Sequence, residues 1–169
     1  SPYGCSKGTG DQYTHDYARI YGLRSIIIRQ SCIYGYRQFG VEDQGWLAWF
    51  IIAALKEHPI TIYGNGKQMR DILFVDDLLS FYELAIQNID KTSGQIFNVG
   101  GGPDNSISIW REFGPVLENL IGHKIIVNFA DLRPGDQLVY VSDIRKAKEV
   151  LGWHPTCSME GGITYLYEW

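Results

Sequence analysis

The sequence has few of the residues that build metal centres, and it has no dinucleotide-binding fingerprint. Its three cysteines and four histidines share no metal-ligand spacing, which predicts no metal site and favours a reduced, cytoplasmic protein. The formal net charge is −4 and no basic cluster occurs, so nucleic acid is not the expected partner. The longest apolar run, residues 46–55, is too short to span a membrane. Nowhere are glycines spaced as G-x-G-x-x-G, the turn that holds a dinucleotide pyrophosphate.

What the chain does contain is enough apolar material for one folded domain. It has 169 residues, of which 45% are hydrophobic, and this combination predicts a single domain with a buried core. The first residue is Ser1 rather than methionine, so we expect that the chain begins within a longer gene product or was trimmed.

Predicted helices and strands alternate along the chain. Short apolar or β-branched runs predict strands at residues 25–29, 60–63, 70–75, 96–99 and 125–129, the first of them buried on both faces. Helices are predicted from the first residues to about 21, at residues 46–58 and 78–88, from 106 or 108 to 121, from a cap at 142 or 143 to 151, and from 158 onwards. Loops are predicted at residues 31–44 and 132–137, with a tight turn at 64–66. This order favours an α/β fold with a parallel sheet and a smaller lobe.

Tyr3 and Lys7 are the first candidates for chemistry. Their spacing places them one turn apart on the same face of the first predicted helix. A nearby ammonium favours the phenolate form of a tyrosine, which a tyrosine needs in order to act as a base near neutral pH. The same spacing recurs at Tyr63 and Lys67, but two intervening glycines predict a turn there.

Two other features have structural and functional interpretations. The glycine triplet at residues 100–102 could cradle a phosphate, but the intervening Pro103 and the lack of a third spaced glycine favour a plain loop. Asp76 and Asp77 precede a predicted helix, and we interpret them as helix caps rather than catalytic acids.

Taken together, the motifs resemble a known family. After the Tyr-x-x-x-Lys element come five further segments in the family's order, at residues 29–35, 62–77, 97–100, 133–136 and 151–155. The chain thus resembles the C-terminal half of an extended short-chain dehydrogenase/reductase, in the nucleotide-sugar epimerase and dehydratase family. This implies an α/β fold, namely the C-terminal half of a Rossmann-type parallel sheet plus a small α/β substrate-binding lobe. Residues 1–169 would then be one partial domain, with the N-terminal NAD-binding half absent.

Details of several segments resemble one branch of that family. Residues 1–8, 11–13, 16–19, 34–39 and 43–46 look like the branch that epimerises CDP-paratose and CDP-tyvelose at C2, which belongs to lipopolysaccharide O-antigen biosynthesis. Cys32 stands where most 4-epimerases and 4,6-dehydratases of the family carry asparagine. The branch implies a CDP-hexose substrate, without fixing the base or the sugar.

The resemblance also implies a reaction. NAD, the cofactor of the family, would take a hydride from the hexose carbon while Tyr3 takes the hydroxyl proton. Lys7 would stabilise the phenolate and bind the nicotinamide ribose, and Ser31 would contact the nicotinamide. The transient keto sugar would then receive the hydride on its other face, so that NAD stays bound between turnovers.

The same resemblance assigns the substrate-binding residues. Arg70 and Arg133 would clamp the diphosphate, because a guanidinium matches phosphate oxygens bidentately. Asp136 would accept a hydrogen bond from a ribose hydroxyl, and Tyr63 would flank the base. Cys32 and Gln44 would lie on the sugar side of the site.

Two other functions remain open. The same fold could serve a nucleotide-sugar 4-epimerase or 4,6-dehydratase, or the chain could be an inactive nucleotide-sugar-binding module. We expect the isolated 169-residue chain to be inactive, because it lacks the glycine loop for NAD and the upstream Ser or Thr of the catalytic set. A homo-oligomer is compatible with the family, and neither nucleic acid nor a membrane is expected as a partner.

Overall fold

The computed structural model describes residues 1–169 and contains seven helices and eight strands. The helices are α1 (Pro2–Tyr21), α2 (Trp46–Leu55), α3 (Val75–Gln87), α4 (Ile89–Thr92), α5 (Phe113–Ile121), α6 (Arg145–Leu151) and α7 (Met159–Glu168). The strands are β1 (Ile27–Gln30), β2 (Cys32–Tyr34), β3 (Ile60–Tyr63), β4 (Met69–Phe74), β5 (Ile96–Val99), β6 (Ser106–Ser108), β7 (Val127–Ala130) and β8 (Val139–Tyr140). None of the helices is both long and apolar enough to cross a membrane.

Most strand pairs are parallel, as an α/β fold requires. Strand β1 pairs with β5, β2 with β4, β3 with β7 and β4 with β8, all in parallel, while β4 and β6 are antiparallel. The strands therefore form two small two-stranded sheets and a four-stranded sheet built around β4. The predicted fold class is confirmed.

Two apolar clusters hold these layers together. The larger cluster joins the buried face of α2 to β3, β4, α5 and α7, and contains aromatic side chains such as Phe50, Phe74 and Phe113. The smaller cluster packs α3 and α6 on β5, and the ring of Phe81 makes edge contacts with Phe97 and with Trp153. Both clusters underlie β4, so this strand is fixed from two sides.

Helix α1 lies at the edge of this core. Its N-cap is Ser1, whose side chain accepts from the Gly4 amide, and it ends at Gly22 in the left-handed conformation. None of its residues is buried. An ion pair between Asp11 and Arg29 of β1, 2.6 Å long, ties the helix to the sheet.

Several predicted elements differ from the structure. The predicted loop 31–44 contains β2. Strand β1 is not buried on both faces, because Ile28 is only half-buried and Arg29 and Gln30 are exposed. The helix predicted from 106 or 108 begins at Phe113, because residues 106–108 instead pair with β4. Strands β3 and β4, on either side of the predicted turn at 64–66, do not pair with each other, since β3 pairs with β7.

The prediction that Asp76 or Asp77 caps α3 is wrong. The helix begins at Val75, which places both carboxylates within its first turn, and no side chain caps it. Asp77 is buried and accepts hydrogen bonds from Thr156 N and Oγ1, at 2.9 and 2.7 Å, and from Cys157 N at 3.0 Å. It therefore anchors the segment that leads into α7.

The glycine triplet is packed against its own chain. A Cβ atom on Gly101 would lie 2.1 Å from the Ile72 carbonyl oxygen, and Gly102 has φ 68°. The loop backbone passes too close to β4 for a side chain at Gly101, and Gly102 adopts a conformation that favours glycine. Both glycines are therefore explained by the loop itself, as predicted.

Candidate active site

A cleft of about 870 Å³ opens between α1, the β1–β2 segment and the start of α2. Five of the nine predicted site residues line it, although they are spread over the first 44 positions: Tyr3, Lys7, Ser31, Cys32 and Gln44. The fold brings them together because α1 crosses β1, and the loop after β2 returns to the mouth of the cleft.

Tyr3 and Lys7 share one face of α1, as their spacing predicts. The Lys7 Nζ lies 5.6 Å from the centre of the Tyr3 ring. Tyr3 is 71% exposed, so its phenol is open to the cleft and to solvent. A phenol on the exposed face of a helix, beside a cation and lining an open cavity, is accessible to a hydroxyl group of a ligand.

The opposite wall is formed where β1 passes into β2. Cys32 pairs in register with Ile72 of β4, which fixes its position. Burial raises the pKa of the Cys32 thiol, and contacts with Trp46 and Arg70 oppose that shift. The side-chain oxygen of the neighbouring Ser31 is buried and has no partner within the chain. This wall therefore combines a neutral thiol with a hydroxyl that is buried and unpaired.

The other four predicted residues lie outside this cleft. Arg133 stacks on Tyr63, with its guanidinium carbon 3.9 Å from the ring centre, and forms an ion pair with Asp43 at 2.9 Å. The contact with Tyr63, followed by the charge of Asp43, raises the pKa of Arg133. The Tyr63 hydroxyl donates to Glu42 at 2.7 Å. A planar cation on an aromatic ring is a suitable platform for a base or a phosphate.

Arg70 and Asp136 form a second, more enclosed pair. The Arg70 guanidinium donates to Asp136 at 2.7 Å, and the two side chains are only 14% and 28% exposed. Arg70 also donates to the carbonyl of Met69 at 2.8 Å. Its cation is thus largely engaged by the chain itself, whereas Arg133 holds a carboxylate that is 86% exposed.

The segment 41–45 connects the cleft to the Arg133 platform. Its acidic residues Glu42 and Asp43 contact Tyr63 and Arg133, while the next residue, Gln44, lines the cleft. A backbone bridge between Val41 and Gln44 holds the segment in a tight loop.

Sequence reasoning missed several residues of this region. Asp11 lines the cleft one helical turn beyond Lys7, so the spacing that identified Tyr3 and Lys7 could also have identified it. Gln38, which lines the cleft and donates to the Ile33 carbonyl at 3.2 Å, has no comparable signal. Neither do Glu42 and Asp43, because their partners are distant in sequence.

Comparison with known proteins shows which family shares this sequence and fold. The model of the NAD dependent epimerase/dehydratase family matches residues 1–100. The chain belongs to this family. It is 42% identical to CDP-paratose 2-epimerase of Salmonella typhi, over all of this chain and 51% of that protein. The predicted family resemblance is confirmed.

Solved structures of the family share the fold over nearly the whole chain. A UDP-glucose 4-epimerase from Thermotoga maritima, solved with UDP-glucose, has a TM-score of 0.88 at 32% identity, over 99% of this chain and 52% of that one. A UDP-glucuronic acid 4-epimerase from Bacillus cereus, solved with UDP-glucuronic acid and NAD, has a TM-score of 0.88 at 30% identity, with the same coverage. The chain thus spans about half the length of the relatives that it matches.

The family is NAD-dependent. Lys7 and Tyr3 offer donors on α1 at the cleft, and Ser31 lines the same cleft from the sheet with its hydroxyl oxygen buried. Donors of this kind suit the hydroxyl groups of a ribose, so the residues present are compatible with part of that cofactor.

Proposed function

We propose that the protein is an NAD-dependent epimerase of a nucleotide-activated hexose, acting on CDP-paratose or CDP-tyvelose at C2. The observation that carries this proposal is the single cleft in which Tyr3 and Lys7 face Ser31, Cys32 and Gln44. The 42% identity to a CDP-paratose 2-epimerase supports the choice of base and sugar.

In this proposal Tyr3 takes and returns the proton of the reacting hydroxyl. Lys7, beside its ring, stabilises the phenolate and donates to the nicotinamide ribose. Bound NAD would supply the hydride acceptor and donor for this reaction. Cys32 and Gln44 border the space for the sugar, and the Cys32 thiol is neutral there.

The nucleotide half of the substrate would lie on the second group of residues. Arg133 is the better phosphate ligand of the two arginines, because its ion pair with Asp43 is exposed and exchanges readily with solvent. Arg70 would add a second contact while it holds Asp136 in position for a ribose hydroxyl. Tyr63 would flank the base.

A second candidate function uses the same fold and cofactor. The similarity to a UDP-glucose 4-epimerase extends over 99% of this chain, which supports a nucleotide-sugar 4-epimerase or 4,6-dehydratase as the alternative. The isolated 169-residue chain is proposed to be inactive, since it carries no glycine loop for the cofactor. A cytoplasmic location and a homo-oligomer are part of this proposal.

The test is to identify the nucleotides that the protein carries. The polypeptide expressed from its complete coding sequence is heat-denatured, and the released compounds are analysed by mass spectrometry together with the chain length. Release of NAD, with a CDP-sugar, supports the epimerase. A UDP- or dTDP-sugar instead would favour the second candidate, and a preparation that neither carries nor binds any dinucleotide would contradict both.

A further inference from the structure

The cleft beside Tyr3 and Lys7 has two walls of different polarity. The outer wall is α1, on which the phenol of Tyr3 is exposed and Lys7 and Asp11 add polar side chains. The inner wall lies on the sheet and on the start of α2. This name is used for the following residues, all of which line the cleft: Ser31, Cys32, Gln38, Trp46, Leu47 and Ile72.

The polar side-chain atoms of the inner wall are turned away from the cleft. Ser31 Oγ, Gln38 Oε1 and Trp46 Nε1 are all buried, so a ligand in the cleft does not reach them. Ser31 Oγ lies instead next to Gly100, where a Cβ atom would be 2.6 Å from it. The amide nitrogen of Gln38 donates to the Ile33 carbonyl at 3.2 Å. The side chains of the inner wall therefore present mainly carbon and sulfur to the cleft.

Cys32 and Trp46 are the accessible part of this apolar surface. Both are partly buried and pack against the larger apolar cluster, in which Leu47 and Ile72 are buried. Burial raises the pKa of the Cys32 thiol, so the group is uncharged near neutral pH. A neutral thiol donates and accepts only weak hydrogen bonds. A hydroxyl group held against this surface would therefore lose its hydrogen bonds to water and gain none of similar strength.

A fully hydroxylated hexose suits the inner wall poorly for this reason. A sugar carbon without a hydroxyl group instead buries apolar surface against Cys32 and Trp46. The outer wall and the exposed Gln44 still offer polar partners to the hydroxyl groups that remain. The cleft therefore fits a sugar that is hydroxylated on one side and deoxygenated on another.

We propose that the inner wall selects a deoxyhexose, whose carbon without a hydroxyl group packs against Cys32 and Trp46. Cys32 is then a specificity-determining residue, because a side chain with a strong donor or acceptor at this position would stabilise a hydroxylated sugar instead. The inference rests on the proposed function, in which the sugar lies in this cleft, and it deepens that function. Paratose is a 3,6-dideoxyhexose and so has two carbons of the kind that this wall accepts.

The experiment compares two ligands that differ only in hydroxyl groups. They are CDP-paratose and CDP-glucose, which has the same configuration and carries hydroxyl groups at C3 and C6 of the sugar. Their dissociation constants on the full-length protein are measured by displacement of CDP, which is also titrated alone. Wild type should bind CDP-paratose roughly tenfold to 100-fold more tightly than CDP-glucose, the range in which an apolar pocket discriminates against an added hydroxyl group.

Three variants of Cys32 separate polarity from packing. C32S, the smallest change, should reduce the preference by about threefold to tenfold, because its hydroxyl can form a hydrogen bond with a sugar hydroxyl. C32N introduces a larger polar group and should act in the same direction, so it replaces C32S if that variant does not fold. C32A is the matched control, since it removes the thiol without adding a polar group. It should keep the preference even if it weakens the binding of both sugars.

Three outcomes would overturn the inference. They are equal affinity of wild type for the two sugars, a preference that C32S and C32N leave unchanged, and a loss of preference in C32A as large as in C32S. The last result would show that shape rather than polarity decides. All three leave the proposed function intact, because wild type still binds a CDP-hexose. A wild-type protein that binds neither CDP-paratose nor CDP would instead contradict the proposed function, and this inference with it.

Discussion

Replacing Asp77 by alanine should destabilise the protein far more than the same replacement at its exposed neighbour, Asp76. The carboxylate of this residue is buried at the first turn of α3 and accepts three hydrogen bonds from Thr156 and Cys157. Its backbone carbonyl accepts a fourth hydrogen bond, from Trp153 Nε1 at 3.1 Å, and this bond does not depend on the side chain. The substitution therefore releases residues 156–157 while the Trp153 packing remains.

The size of the effect follows from these contacts. A hydrogen bond to a charged acceptor contributes about 1.5–3 kcal/mol, and a buried donor left unpaired costs a similar amount. Thr156 is exposed, so water can replace part of what is lost there. We therefore expect Asp77→Ala to lower the free energy of unfolding by about 3 kcal/mol, towards the lower end of the summed contacts.

The assay is urea denaturation followed by tryptophan fluorescence and circular dichroism. Asp76→Ala is the matched control, because that carboxylate is exposed and its partner is the Tyr36 hydroxyl. It should change stability by no more than about 1 kcal/mol. Equal losses in the two variants would refute the view that Asp77 anchors the segment before α7.

Two further substitutions test the site, and one pH dependence tests an ion pair outside it. Tyr3→Phe should lower turnover by about 100-fold or more while the bound NAD is retained, because only the proton-transfer group is lost. Arg133→Lys should weaken binding of the nucleotide-sugar by about tenfold, since lysine neither forks to phosphate nor stacks on Tyr63 as arginine does. Arg145 holds the pKa of Asp143 down to about 2, so this pair stabilises the protein above the ordinary aspartate pKa, and the contribution is lost as the pH falls towards 2.

Each of these has a direct readout. Turnover and NAD content are measured on the same Tyr3→Phe preparation, and undiminished activity would remove Tyr3 from its proposed role. Calorimetric titration with the nucleotide-sugar compares Arg133→Lys with wild type, and unchanged affinity would show that the phosphate lies elsewhere. An NMR titration of the Asp143 carboxyl carbon should show a midpoint near 2, and a midpoint near the usual aspartate value would contradict the pairing with Arg145.

The helices and strands that depend on local signals were predictable. Gly22, Gly122 and Gly152 end helices as expected, each in the left-handed conformation that glycine tolerates. The N-cap at Ser158 was also predictable from its position before α7. Strand β2 was not, because its three residues lie in a stretch rich in glycine and tyrosine and are stabilised by pairing with β4.

In the candidate site, too, the contacts within one helix were predictable, and the contacts between distant segments were not. The Tyr3–Lys7 pair lies on one helix, and its spacing alone gives its geometry. The ion pair of Arg133 with Asp43 joins residues that are far apart in the chain, so no local pattern indicates it. The same holds for Asp77, which has the sequence context of a helix cap but finds stronger partners in a segment that tertiary packing brings near.

The central claim is that the protein inverts a sugar carbon by removing and returning a hydride. The most direct measurement uses a CDP-hexose deuterated at C2, incubated with the full-length enzyme in ordinary water and followed by NMR and mass spectrometry. The account predicts that the product is epimerised at C2 and retains its deuterium, because the label passes to NAD and back. Epimerised product in which solvent hydrogen has replaced the deuterium, or no conversion of the CDP-hexose, would contradict it.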